Sequence, residues 1–101
     1  MQSPWGQSQT AEKLANGIIG YSTSSHGGIW LSPERTAQLP QGIDNFLHDL
    51  RWWEEDCDWA IPYIVFQADI KAYGKAYKFE ENLAAAYATV QHYHPELVPA
   101  T

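Results

Sequence analysis

Six apolar side chains, Phe46, Leu50, Trp53, Cys57, Ala60 and Ile64, recur at intervals of four, three, four, three and four. That spacing follows the 3.6-residue period of a helix and predicts one continuous amphipathic helix with all six on a single stripe. Asp44 is placed to cap its start. Pro62 is the conflict, because an interior proline removes a backbone hydrogen bond and clashes with the carbonyl four residues earlier. It falls on the polar side, between Glu55 and Asp58, which favours a kink around the core. The other outcome is a break, with YIVFQ continuing as a strand.

The first third of the chain has a different pattern. WGQSQT, NGIIGYSTSS and GIWLS are short runs punctuated by Asn16-Gly17 and Gly27-Gly28, residue types that accept the positive φ of tight hairpin turns. They predict a three-stranded antiparallel meander with Ile18, Trp30 and Tyr21 facing the core. LSPERTAQLP then reads as a one- to two-turn helix, capped by Ser32, with Pro33 at the first helical position and Glu34 at the positive helix start. Pro40 and Gly42 close it. AYGKAYK is a connector pivoting on Gly74. A last helix runs from Phe79 to His94, where Pro95 ends it, with Phe79, Leu83, Ala86, Tyr87 and Val90 as its apolar stripe. Glu80 and Glu81 sit at its positive end. The expected fold is one α+β domain over residues 1–101, a small three-stranded antiparallel sheet packed against two amphipathic helices.

Length and charge narrow the functional classes. At 101 residues, one small core must carry any site. Five Trp and six Tyr supply far more aromatic surface than a disordered chain carries. No run approaches the roughly 20 apolar residues of a membrane helix, and the start MQSPWGQSQT has neither the basic flank nor the apolar stretch of a signal peptide. A single Cys fits a reducing compartment, so a cytoplasmic location is expected. The net charge of −6 disfavours direct contact with a phosphate backbone and favours a basic protein surface, although such a balance also serves solubility alone.

Residues 52–60, WWEEDCDWA, concentrate the acids. Placed on the expected helix, Glu54, Glu55 and Asp58 point away from the apolar stripe, while Asp56 falls on its edge. A carboxylate there is costly unless hydrogen-bonded. Asp56 is read either as an acid or base with a raised pKa, paired with His26, or as a structural acceptor for the loop STSSHGG, which contains Ser25 and His26. Glu54 and Asp58, one turn apart on a convex face, do not form a glycosidase cleft. His92 and His94 fall on different faces of their helix, and His26 and His48 have no spacing partner, so neither a metal nor a cofactor is expected. Cys57, on the core stripe among carboxylates, is a buried small hydrophobe and not a nucleophile. SSHGG joins two strands and so reads as a turn, not an anion loop. Trp52, Trp59 and Tyr63 flank the acidic face, as do Tyr73 and Tyr77 further on. They read either as core margin or as the contact area of an interface that recognises basic side chains.

SHGGIWLSPER and WWEEDCDWA together resemble an uncharacterised domain of proteobacterial plasmid, phage and other mobile-element proteins. In that domain a Ser-His-Gly-Gly, aromatic, Leu-Ser run precedes a Trp-aromatic-Glu-Glu-Asp-Cys-acid-Trp run. The resemblance covers roughly residues 3–60, and the ending HYHPEL looks like that domain's close. It implies a mobile-element origin and no established activity. By analogy with small acidic mobile-element proteins, the expected function is a binding module that inhibits a host defence complex of the anti-CRISPR type by covering a basic surface on a CRISPR effector or nuclease subunit. Glu54, Glu55 and Asp58 would supply charge, and Trp52, Trp59 and Tyr63 contact area. The alternatives are a small enzyme or ligand-binding domain using Asp56 and His26, and an obligate homodimer burying its surplus aromatics.

Overall fold

The computed structural model describes residues 2–3, 6–7, 10–22, 27–43, 49–55 and 58–93. Its elements are β1 (Gln2–Ser3), β2 (Gly6–Gln7), β3 (Thr10–Ala15), β4 (Ile18–Ser22), β5 (Gly27–Leu31), α1 (Pro33–Ala37), β6 (Trp52–Glu54), α2 (Ala60–Val65), α3 (Gln67–Tyr73) and α4 (Phe79–Tyr93). The class is α+β, as expected, but the main antiparallel sheet has four strands in the order β3-β4-β5-β6, and β1 pairs separately with β2. Among the described residues, four helices stand where two amphipathic helices and a helix of one to two turns were expected. Among the described residues, no helix is long and apolar enough to cross a membrane.

Asn16-Gly17 forms the β3–β4 turn, with Gly17 at φ 78°, a conformation that glycine adopts without strain. The strand entering it is TAEKLA, not WGQSQT. Ala, Glu and Lys are poor strand formers, so pairing with β4 overrides their propensity. A bulge between Lys13 and Ala15 shifts the register, so that Ala15 pairs with Ile18 but Glu12 with Gly20. Side chains alternate faces along a strand, and this one-residue irregularity turns Glu12, not Lys13, toward the face that carries Ile18. Gly27 and Gly28 are not a turn either; they open β5. A Cβ at Gly27 would lie 2.6 Å from the Tyr21 carbonyl oxygen, so close strand approach requires glycine there.

The predicted cap of α1 is present. Ser32 Oγ accepts the Arg35 N–H at 3.2 Å, and Pro33 occupies the first turn. Arg35 itself joins three elements. Its Nε donates to the Asn16 carbonyl at 2.9 Å, its Nη1 reaches Asp69 of α3 at 2.6 Å, and its guanidinium lies 5.1 Å from the Phe66 ring centre.

The continuous helix through WWEEDCDWA is not formed. Trp52–Glu54 pairs with β5, with Trp52 opposite Trp30, Trp53 opposite Ile29 and Glu54 opposite Gly28. A period of two governs this stretch, so Trp53 faces the core while Trp52 and Glu54 lie on the other face. The chain then turns, with the N–H groups of Asp58 and Trp59 both donating to the Glu54 carbonyl, and α2 starts at Ala60. Pro62 is therefore the third residue of a helix, where an N–H has no intrahelical acceptor to lose, and neither a kink nor a strand is needed. Trp53 and Ala60 are buried and Leu50 and Ile64 pack at the core margin, so these four positions of the expected stripe lie in or beside the core although the helix is not formed. Phe46 and Cys57 lie outside the described residues, as does Asp44.

Gly74 ends α3 in the left-handed conformation at φ 77°, and α4 follows near its expected bounds. Ala86 and Val90 are buried, Phe79 and Leu83 lie at the core margin, and Tyr87 is exposed. α2 packs against α4, and α3 against β3. The core joins Leu14, Ile18, Ile29, Leu31 and Trp53 of the sheet to Ala60, Ile61, Tyr63, Phe66, Ile70, Ala86 and Val90. Trp30 and Tyr21, expected in this core, lie half-buried on the opposite face because Ile29 and Gly20 take the inward positions.

Candidate functional site

Where the inner face of the sheet meets α2 and α4, a cleft of about 270 Å³ opens between Glu12 and Leu14 of β3, Gly20 of β4, Gly28 and Ile29 of β5, Glu55, Trp59, Tyr63 of α2 and Asn82 of α4. Sequence dictates the opening in two ways. Gly20 has no side chain to fill the inner face, and the β3 bulge presents Glu12 beside it. The Glu55 N–H extends the ladder by donating to the Gly27 carbonyl at 2.9 Å, which sets this carboxylate after Trp53 at the far side of the sheet. Glu12 is fixed by accepting the Tyr77 N–H at 3.2 Å.

Trp59 and Tyr63 form the aromatic wall. Their rings meet edge to face with centres 5.5 Å apart, and Phe79 stacks on Tyr63 at 5.9 Å. Such offset and perpendicular contacts suit the ring quadrupoles and hold the Tyr63 ring in place. Its hydroxyl is buried and has no hydrogen-bond partner among the described residues. Burial pushes the phenol pKa up; the Asn82 amide acts the other way without completing a hydrogen bond, and the Glu12 carboxylate adds to the upward shift. A buried hydroxyl without a partner is costly, and here both groups that bias it line the cleft.

The expected acidic face is thus divided. Glu55 and Trp59 line the cleft, and Tyr63 forms its buried wall. Glu54 lies half-buried on the opposite side of β6, where Trp52 is buried with its ring 6.0 Å from that of Tyr21. Asp58, expected to face solvent, is 1% exposed in the turn before α2, so its charge is unavailable to a partner. Asp56, Ser25 and His26 lie outside the described residues. Glu12, Gly20 and Asn82 were missed by sequence reasoning. The hairpin signal at Asn16-Gly17 pointed toward Glu12, but an unbulged register would have set it against Tyr21.

Among the described residues, the cleft lining contains two carboxylates, two aromatic rings and an amide, and no Lys, Arg or His. Among the described residues, no three His, Cys, Asp or Glu side chains gather in a way that could hold a metal ion. The arrangement suits recognition of a cationic group by charge and ring face. No curated protein and no solved structure matches the chain. A family described as a domain of unknown function, DUF7007, matches residues 1–100, and the chain belongs to that family.

Proposed function

We propose that the chain is a non-enzymatic binding module that covers a basic surface on a protein partner. The observation that carries this reading is the sign of the cleft, where Glu12 and Glu55 stand without a basic side chain among the described lining residues, on a chain of net charge −6. A concave site of one charge sign with apolar walls focuses its field and steers an oppositely charged partner. Proteins that act on nucleic acid present such basic surfaces, because they neutralise phosphates with Lys and Arg. An acidic module competes for that surface and is itself repelled by the nucleic acid.

The resemblance of SHGGIWLSPER and WWEEDCDWA to mobile-element proteins supports a partner in a host defence complex, such as a CRISPR effector or nuclease subunit in the bacterial cytoplasm. This step is an analogy between small acidic proteins of similar origin. Affinity capture from a proteobacterial lysate, with wild type beside the double variant Glu12→Lys and Glu55→Lys, tests the reading. Wild type should retain a basic nucleic-acid-binding protein that added DNA displaces, and the double variant should not. Identical retention by both proteins would exclude it.

A further inference from the structure

We propose that the cleft receives a single guanidinium group, the side chain of an arginine carried by the partner. The inference rests on the basic-surface reading and adds which group enters and where it sits. Size is the first argument. At about 270 Å³, and widely open to solvent, the cleft is smaller than the roughly 300–1,000 Å³ pockets that enclose drug-sized ligands, which suits one side chain laid into a shallow groove.

The second argument is the buried Tyr63 hydroxyl, which is without a partner among the described residues. The residue is 3% exposed, and the groups that bias its hydroxyl, Asn82 and Glu12, both line the cleft. An entering N–H donor would satisfy it. Asn82 Nδ2 already donates to the Tyr77 carbonyl at 2.7 Å, which leaves its Oδ1 as a further acceptor. A carboxylate, a hydroxyl and an amide oxygen lining one cleft call for several donors, and a guanidinium offers more of them than a compact ammonium does. Trp59 is half-buried, so part of its ring remains open to stack on that plane. Gly20 supplies the room: a Cβ there would meet nothing nearer than the Glu12 carbonyl oxygen at 3.7 Å.

Titration of the isotope-labelled chain with N-acetyl-arginine methylamide, followed by NMR, tests the assignment, with the uncharged citrulline counterpart as shape control. The arginine compound should shift the Trp59 indole and Gly20 amide signals saturably. The citrulline compound should bind at least about tenfold more weakly, the loss expected for one charge-assisted hydrogen bond. Gly20→Val should abolish the response while keeping a dispersed native spectrum, and Tyr63→Phe should weaken it several-fold. Equal responses to the two compounds, or no saturable response at these signals, would overturn the proposal. A null titration beside charge-dependent capture overturns the arginine assignment alone. A positive titration beside charge-independent capture upholds the cleft and overturns the basic-surface reading.

Discussion

Glu12 and Gly20 are direct cross-strand partners on the inner face of the sheet, and the side chain that Gly20 lacks leaves the space beside which Glu12 stands. The register that pairs them depends on the bulge between Lys13 and Ala15. Without it the alternation would bring Lys13 inward in place of Glu12 and cancel the charge of Glu55 at the cleft. Lys13 instead has its ammonium 5.4 Å from the Tyr73 ring centre.

Glycine substitutions should therefore separate fold from function. Gly20→Ala should raise stability by about 0.5–1 kcal/mol in urea unfolding, because a strand glycine carries an entropic cost and the new Cβ meets only ordinary contact. Gly17→Ala should lower stability by more than about 1 kcal/mol, since its φ is +78° and its Cβ would lie 2.5 Å from Ser32 Oγ.

Tyr63→Phe removes a buried hydroxyl that has no partner among the described residues, so at neutral pH it should stabilise the fold by about 1 kcal/mol. Wild type should then lose stability in alkali. The folded phenol pKa is raised, so the unfolded chain releases its proton first, and stability falls from the ordinary value of 10.0 up to the raised folded value. Urea midpoints measured on either side of pH 10 should show a smaller alkaline fall in the variant, judged against the other tyrosines common to both proteins.

Charge reversal should discriminate among the acids. Glu55→Lys, at an exposed position, should leave thermal unfolding nearly unchanged while weakening partner binding. Asp58→Lys should cost about 3 kcal/mol or more, because it places a different charge at a position only 1% exposed.

Arg35→Lys should also destabilise, by about 1–2 kcal/mol in the same assay. A lysine carries one terminal ammonium and cannot serve the Asn16 carbonyl, Asp69 and the Phe66 ring from separate points of a planar group. An unchanged midpoint would show that the three contacts are independent of the guanidinium shape.

What the sequence revealed and what it concealed have physical causes. Asn16-Gly17, Ser32-Pro33 and Gly74 act locally, through φ and capping, and each was readable where it stands. The span of α4 was readable because its apolar positions repeat over 15 residues. Residues 52–54 were not, since three residues fit either period, and β5 supplies the pairing that decides between them. Trp53, Ala60 and Ile64 were correctly placed in or beside the core, yet on a strand and a short helix. The cleft was hidden for the same reason: Glu12, Gly20 and Glu55 meet through a bulged register and a sheet edge that no local pattern encodes.

The proposed attraction of a basic partner by Glu12 and Glu55 acts through charge. Its most direct measurement is the association rate with the captured partner as salt shortens the Debye length from about 30 to about 3 Å, for wild type and for the double variant Glu12→Gln and Glu55→Gln. The wild-type rate should fall steeply with salt, and the variant rate should be slower at low salt and flatter throughout. Superimposable salt profiles for the two proteins would contradict it.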